Sequence, residues 1–97
     1  MRLRAYTGPG QTQNERFISH SIIARPGDTV RIKLNNKLPP ATTSYDPGCA
    51  GGPGHDVNKP HCFNGTNLHS HGLWVSPTGN SDNVLLKLLP GNSFQYE

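Results

Sequence analysis

The chain has 97 residues and a formal net charge of +3, with 15% charged residues, 11 Gly and 9 Pro. This length allows one domain at most, and a charged fraction below the usual value of about 25% excludes charge-driven disorder and long coiled coils. The nine basic residues are scattered along the chain. Nucleic-acid binding is therefore not expected, because it requires a basic stripe with interleaved aromatic residues.

No stretch of the chain predicts a membrane span or a signal peptide. The longest apolar segment, Val84 to Leu89, is interrupted by Lys87 and is far shorter than the roughly 18 residues that a span requires. The chain opens on Met-Arg-Leu-Arg with no apolar leader. We therefore expect any export signal to have been lost or never to have been present.

Short strands are predicted along the chain, because Pro or Gly interrupts nearly every window long enough for a helix. Leu3 to Tyr6 and Arg16 to Ala24 are the first two candidate strands. Thr29 to Leu34 is the clearest candidate, since its apolar and basic residues alternate. This alternation predicts one buried and one exposed face.

Two Pro-Gly pairs predict sharp turns in front of strands. Arg25 to Asp28 reads Arg-Pro-Gly-Asp, which suits a type II turn because the third residue needs positive φ. The arrangement returns at Leu89 to Asn92, followed by the candidate strand Ser93 to Tyr96. Repeated units of a turn and a short strand are typical of antiparallel sandwiches, so the predicted fold class is mainly β.

Residues 39–65, from Pro39 to Gly65, predict a long loop that contains both cysteines. A disulfide between Cys49 and Cys62 would stabilise this loop by about 3 kcal/mol on the chain-entropy estimate. The alternatives are two free thiols, or a metal site formed with His55 and His61. Near the end of the loop, Asn-Gly-Thr at residues 64–66 also matches the N-glycosylation motif, although a match this short often arises by chance.

The segment from Thr66 to Val75, TNLHSHGLWV, carries the residues most informative about function. In an extended strand, His69 and His71 share one face with Cα atoms roughly 6.5 to 7 Å apart. Two imidazoles at this spacing either converge on one metal or reach two neighbouring metals. Gly72 then permits a bulge or the close approach of another backbone.

Two histidines on a strand are, however, most often hydrogen-bonded or partly exposed residues without a metal. Two ligands also leave the coordination incomplete, because catalytic zinc takes three protein ligands and structural zinc four. For the three remaining histidines we expect ordinary structural or solvated roles; these are His20, His55 and His61.

Two segments, PGDTVRIKLNNKLP and TNLHSHGLWVSPTGNSDNVLLKLLPGNSFQYE, resemble the first cupredoxin domain of multicopper oxidases, the laccase and ascorbate oxidase superfamily. The resemblance covers about Leu3 to Leu38 and Asn64 to Glu97, and the loop between them is divergent. It implies a cupredoxin-like (plastocyanin-like) Greek-key β-sandwich. Residues 1–97 would form part of that domain, and the sandwich is expected to be incomplete at its C-terminal side.

The resemblance also implies copper as the cofactor. In this family the first His-x-His-Gly pair helps to hold the trinuclear copper cluster at which dioxygen is reduced to water. By that match, His69 resembles the ligand of the type 2 copper and His71 a ligand of one type 3 copper. Imidazole suits copper in both of its working oxidation states.

The rest of the family's ligand set is missing from the chain. The second His-x-His, the further His pairs and the Cys-containing type 1 site are absent, and Met1 is the only Met. We therefore expect the chain to be an N-terminal segment of an extracellular or periplasmic oxidase, without oxidase activity of its own.

The implied partners are copper ions and the remaining cupredoxin domains of the parent, or another chain that completes the sheet. In the parent, dioxygen and a small reducing substrate are expected as well. The alternative function is a non-catalytic copper-binding or partner-binding cupredoxin module. A stand-alone blue-copper electron carrier is disfavoured by the missing ligands.

Overall fold

The computed structural model describes most of the chain; the described residues are 3–12, 19, 21–40, 58 and 62–97. The chain divides into two units, Met1–Val30 and Arg31–Glu97, and each is described by itself. Throughout the described residues, no helix is long and apolar enough to cross a membrane.

In the first unit, Arg25 to Asp28 forms the predicted turn. The Asp28 N–H donates to the Arg25 carbonyl oxygen at 3.0 Å, and Gly27 has a φ of 94°, as a type II turn requires at its third residue. The Asp28 carboxylate also accepts a hydrogen bond from the Arg25 N–H at 2.8 Å. This side chain therefore stabilises the turn that it closes.

A second turn of the same kind, which the sequence analysis missed, spans Gly8 to Gln11. The Gln11 N–H donates to the Gly8 carbonyl oxygen at 3.3 Å, and the Gln11 side-chain oxygen accepts from the Gly8 N–H at 3.1 Å. The central residues are again Pro and Gly. The signal was present in the sequence, because Pro-Gly is among the strongest turn markers.

The early strand candidates are not strands where the structure describes them. Leu3 to Tyr6 forms no strand, and neither do residue 19 and residues 21–24 of the Arg16 to Ala24 candidate. The rest of that candidate, together with His20, lies outside the described residues. Short apolar runs are weak predictors because a strand also needs a partner for its main-chain groups.

The second unit contains the regular secondary structure found among the described residues. It consists of two strands, β1 (Ile32–Asn35) and β2 (Ser93–Tyr96), which pair antiparallel. Two antiparallel strands and no helix in the described part of the chain agree with the predicted mainly β class. The pairing brings together two segments that each follow a Pro-Gly turn.

The two strands place their apolar side chains on one face. In the register of the pair, Ile32 lies opposite Tyr96 and Leu34 opposite Phe94. These four residues are half-buried or buried, whereas the residues between them are exposed. The aromatic rings of Phe94 and Tyr96 also contact each other, with centroids 4.9 Å apart. The alternation expected of a half-buried strand is thus observed.

The predicted boundaries agree closely for β2 and less well for β1. Ser93–Tyr96 is observed as predicted, and the turn before it closes by an Asn92 N–H to Leu89 carbonyl hydrogen bond of 3.1 Å. The candidate Thr29 to Leu34 becomes a strand only at Ile32–Asn35. β1 begins later than predicted because its described pairing partner is β2, which has only four residues.

A buried asparagine, Asn36, follows β1 and is 4% exposed. Its side-chain Nδ2 donates to the carbonyl oxygens of Asn64 at 2.6 Å and Leu88 at 2.8 Å. Its Oδ1 accepts from the Leu38 N–H at 3.1 Å. One side chain therefore joins three segments that are distant in sequence, because it forms hydrogen bonds with a main-chain group of each of them.

The described ends of the predicted loop are fixed to the rest of the unit. The Asn64 side chain donates to the Pro39 carbonyl oxygen at 3.0 Å, and Thr66 forms an antiparallel bridge with Leu88. Residues 41–57 and 59–61 of the loop lie outside the described residues. Among the loop residues that are described, Asn64 thus contacts both Pro39 and the buried Asn36.

An exposed ion pair lies at the end of the β1–β2 ribbon. Arg31 donates two hydrogen bonds to the Glu97 carboxylate, at 2.9 and 3.0 Å. The hydrogen bond and the charge of Arg31 lower the pKa of Glu97 below its usual value. A group whose pKa is lowered in the folded state stabilises that state above its unfolded pKa, and this stabilisation disappears as the pH falls through the folded pKa.

The ion pair between Arg31 and Glu97 is expected to make the free energy of unfolding depend on pH. At pH 7, Glu97→Gln should lower the urea midpoint slightly, because both side chains are exposed and screened by solvent. As the pH falls from about 5 through the lowered pKa of Glu97, the difference between the two proteins should vanish. Urea unfolding of both proteins at a series of pH values measures this difference in midpoint. A difference that persists unchanged at pH 2 would contradict the prediction.

The glycosylation motif at residues 64–66 is expected to remain unmodified in folded protein. Asn64 is 4% exposed, and its Nδ2 atom, to which a glycan would attach, donates to the Pro39 carbonyl oxygen. Expression in a eukaryotic secretory host, followed by mass spectrometry with and without an endoglycosidase, should show no glycan on the folded fraction. A matched control is Lys37→Thr, which creates the same motif at exposed Asn35. A folded species glycosylated at Asn64 would refute the prediction.

Candidate metal site

The segment that carries the two histidines is not a continuous strand. Thr66 pairs with Leu88, but the residues from Asn67 to Val75 have no strand assignment, and the chain bends at His71 and Gly72. The extended strand assumed in the spacing argument is therefore not observed, and the described segment has only an isolated bridge at Thr66. Main-chain pairing cannot be what places the histidine side chains, so other contacts must do so.

The two imidazole rings nevertheless lie close together. The ring centroids of His69 and His71 are 4.9 Å apart, with an angle of 64° between the ring planes. Gly72 has a φ of 74°, a conformation that glycine adopts at little cost. No described atom lies within 4 Å of the point where a Cβ would be. Gly72 is thus needed for the bend rather than for the close approach of another backbone.

Asp82 fixes the ring of His69. The His69 Nδ1 atom lies 2.7 Å from Asp82 Oδ1, and the Ser70 hydroxyl donates to Asp82 Oδ2 at 2.7 Å. The hydrogen bond from His69, followed by the one from Ser70, lowers the pKa of Asp82 against the opposing effect of its burial. Asp82 is therefore a carboxylate that accepts both hydrogen bonds, with its side chain only 13% exposed.

This contact determines which nitrogen of His69 is available as a ligand. An ionised carboxylate only accepts, so Nδ1 carries the proton and Nε2 keeps its lone pair when the ring is neutral. Carboxylates that hold a histidine in this way are typical partners of metal ligands, since they fix the ring orientation and increase its basicity. The side chain of His69 is 48% exposed, which leaves Nε2 room for a metal.

The same three residues do not form a hydrolytic triad. In a triad the serine hydroxyl contacts the histidine nitrogen opposite the carboxylate. Here the Ser70 hydroxyl donates to Asp82, the residue that His69 also contacts. The serine therefore stabilises the carboxylate and has no base to activate it.

Asp82 is the site residue that the sequence analysis missed. It lies thirteen residues after His69, a spacing that no local periodicity connects. The intervening chain folds back toward His69, and this turn is closed by the Asp82 N–H, which donates to the Ser76 carbonyl oxygen at 2.9 Å. The only signal in the sequence was an acidic residue in a segment rich in Ser, Gly and Asn after the histidines.

The two histidines fit part of a copper site. Imidazole nitrogen suits copper, and a metal–nitrogen bond of about 2 Å would place the ion roughly 3 Å from a ring centroid. Centroids 4.9 Å apart then allow one shared ion or two neighbouring ions, so the ambiguity left by the spacing remains. Within the described ranges, no group of three or more His, Cys, Asp or Glu is placed to hold a metal. Further ligands would have to come from elsewhere.

The cysteine alternatives are decided at Cys62. Its sulfur is in a disulfide bond, which rules out a free thiol or a metal-bound thiolate at this position. Cys49 lies outside the described residues, as do His55 and His61. Cys62 also has a positive φ of 58°, and its carbonyl oxygen accepts from the Gly65 N–H at 3.3 Å. The disulfide thus lies at the start of the turn that leads into the buried Asn64.

Comparisons with protein-family profiles, curated proteins and solved structures found no match to the chain. A functional assignment therefore depends on the histidine motif and on the geometry around His69, His71 and Asp82.

Proposed function

We propose that the chain is the first cupredoxin segment of a multicopper oxidase, in which His69 and His71 help to hold the trinuclear copper cluster that reduces dioxygen to water. The observation that carries the proposal is the fixed ring of His69, 2.7 Å from Asp82, with the ring of His71 4.9 Å away. An oriented imidazole beside a second one is an arrangement suited to metal binding. The His-Ser-His-Gly motif supports copper as the metal.

Each residue has a distinct role in this proposal. His69 would bind the type 2 copper through Nε2, and His71 would bind a type 3 copper. Asp82 orients His69, and Ser70 holds the other oxygen of Asp82. When bound, copper supplies the one-electron chemistry for the reduction of dioxygen. The contribution of this chain is to present two nitrogen ligands in a fixed relation.

The proposed fold is a cupredoxin-like Greek-key sandwich to which β1 and β2 belong. Several large apolar side chains of the second unit are exposed, among them Leu73, Trp74 and Leu85. In the proposed parent, they would pack against the remaining cupredoxin domains or against another chain that completes the sheet. The disulfide at Cys62 supports an extracellular or periplasmic location, because such bonds persist in oxidising compartments.

The proposal is tested by titrating the chain with Cu²⁺, following the electron paramagnetic resonance spectrum and measuring copper content. We expect about one weakly bound Cu²⁺ per chain, with nitrogen hyperfine structure from imidazole and no dioxygen uptake with a phenolic donor. Copper bound without histidine nitrogen would refute the proposal. Several tightly bound coppers with turnover would mean that chains assemble to supply the missing ligands.

The alternative is a non-catalytic module that binds copper or a partner, and the exposure of Trp74 and Leu85 favours a partner surface. In the oxidase segment the chain would supply only two of the ligands of the metal, whereas a copper-binding module would supply all of them. Copper held by two protein ligands should accept added imidazole, with a changed spectrum. A self-sufficient copper module should not respond, since its own ligands would fill the coordination sphere.

A further inference from the structure

We propose that Asn67 and Tyr96 form a clamp that positions the ring of His69 for metal binding; the proposal rests on the proposed function. The Tyr96 hydroxyl donates to Asn67 Oδ1 at 2.7 Å and accepts from the Leu68 N–H at 3.1 Å. Leu68 directly precedes His69. Tyr96 is thereby joined to the main chain at the entrance to the histidine motif.

The clamp is fixed to the most regular part of the second unit. Tyr96 is the last residue of β2, is 7% exposed and lies opposite Ile32 of β1. Its ring also contacts Phe94. A buried tyrosine usually has a partner for its hydroxyl, and here that partner belongs to the histidine segment. Tyr96 therefore connects the β1–β2 ribbon to the histidine segment, for which the described residues provide no strand partner after Thr66.

Asn67 extends the clamp to the segment that carries Asp82. Its Oδ1 accepts from Tyr96 and from the Leu68 N–H at 2.9 Å. Both donors face the oxygen, so the Nδ2 of the amide points the other way, where it donates to the Asn83 carbonyl oxygen at 2.8 Å. The Tyr96 hydroxyl thus helps to select one of the two orientations of the Asn67 amide.

The result is a closed set of contacts between two segments. Asn67 is hydrogen-bonded to the Asn83 carbonyl oxygen, and His69 and Ser70 are hydrogen-bonded to the Asp82 carboxylate. If the Asn67 amide turns over, the hydrogen bond to the Asn83 carbonyl oxygen is lost, and Asp82 is held less firmly, although its N–H still donates to the Ser76 carbonyl oxygen. The distance between His69 Nδ1 and Asp82 Oδ1, which determines the tautomer of His69, is therefore set partly by Tyr96. Tyr96 itself contacts neither His69 nor His71 through its hydroxyl. Tyr96 is a positioning residue in this scheme.

The clamp is tested first without metal in the full chain, with Tyr96→Phe. At a pH at which the spectra themselves show neutral imidazole rings, long-range proton–nitrogen NMR should show wild-type His69 protonated at Nδ1. In Tyr96→Phe, the share of the Nε2-protonated tautomer should rise about twofold or more, because the carboxylate is held less firmly. A merely structural role for Tyr96 would lower stability without moving this ratio.

The second measurement is the affinity for Cu²⁺ at a temperature where every variant is folded. Groups that hold a metal ligand typically change affinity by about 10- to 100-fold. Because Tyr96 acts through Asn67, we expect a smaller loss of about three- to tenfold. The double variant Tyr96→Phe with Asn67→Ala should bind Cu²⁺ no more weakly than Asn67→Ala alone, since Tyr96 acts on His69 through Asn67.

Two controls separate positioning from general destabilisation. Tyr6→Phe makes the same chemical change at a half-exposed tyrosine of the first unit and should change neither readout. Arg31→Gln removes the ion pair with Glu97 beside Tyr96 while leaving the clamp intact. It should lower stability slightly without shifting the tautomer ratio.

An unchanged tautomer ratio and unchanged copper affinity in Tyr96→Phe would overturn the clamp. This outcome is distinguishable from failure of the proposed function, in which Cu²⁺ would leave the NMR signals of His69 and His71 of the wild-type chain undisturbed. In that case the role of the clamp in metal binding would be overturned as well, and only its effect on the tautomer would remain to support a positioning role.

Discussion

Replacing both His69 and His71 by alanine is expected to abolish copper binding at this site, in the isolated chain and in any parent protein. In the described part of the second unit these two imidazoles lie side by side and would supply the nitrogen ligands of the proposed site, and Asp82 contacts one of them. Removing a ligand should cost more than removing the group that orients it, for which roughly 10- to 100-fold is typical. Copper content after dialysis and the Cu²⁺ resonance spectrum measure the loss.

A graded series makes this prediction sharper. Asp82→Asn keeps both histidines but replaces an ionised hydrogen-bond acceptor. We therefore expect its affinity for Cu²⁺ to fall by about 10- to 100-fold, while the Cu²⁺ spectrum still shows histidine nitrogen. His20→Ala is the matched control, since it removes an imidazole that we do not place at the site, and it should leave copper binding unchanged. Equal losses from His20→Ala and from the double alanine variant would refute the assignment of His69 and His71.

Replacing Asn36 by leucine is expected to destabilise the second unit more than any other single change considered above. The substitution removes two donated hydrogen bonds and one accepted one in a residue that is 4% exposed. Each buried polar group left without a partner costs about 1–3 kcal/mol, although the Leu88 carbonyl oxygen keeps its bond from Thr66. We therefore expect a loss of about 2–4 kcal/mol, or roughly 10 °C or more in Tm.

The neighbouring residue provides the control for Asn36. Asn35 is exposed on β1, so Asn35→Leu makes the same change of side chain without removing buried hydrogen bonds and should stay within about 0.5 kcal/mol. Urea unfolding followed by circular dichroism compares the two variants. If Asn36→Leu does not fold, Asn36→Ser retains a smaller polar side chain and should be intermediate. Equal midpoints for the Asn35 and Asn36 variants would show that the network contributes little.

The parts of the structure that were predictable from the sequence are those determined by local chemistry. Pro-Gly at Arg25 to Asp28 and at Leu89 to Asn92 predicted turns, and the glycines have the positive φ that such turns need. The alternation in Ser93–Tyr96 predicted β2 for the same reason, since side-chain period is a local property. The closeness of His69 and His71 was predictable only for an extended strand, in which residues two positions apart share a face.

The contacts that make the site specific were not predictable, because they join residues that are distant in sequence. Asp82 reaches His69 across thirteen positions, and Asn36 reaches Leu88 across fifty-two. No periodicity indicates which asparagine will be buried. The extended strand on which the spacing argument for His69 and His71 was based is not formed for a related reason, since a strand requires a partner and, among the described residues, the segment from Thr66 to Val75 has one only at Thr66, which pairs with Leu88.

The pairing of β1 with β2 has a consequence for the order of folding. Arg31 and Glu97, at the end of the ribbon, are sixty-six residues apart, so a large loop must close before the pair forms. Domains dominated by such distant contacts fold slowly. During synthesis, β1 therefore lacks its described pairing partner until residue 96 has left the ribosome. Until then the unpaired edge of β1 can associate with other chains, because unpaired strand edges are prone to aggregate.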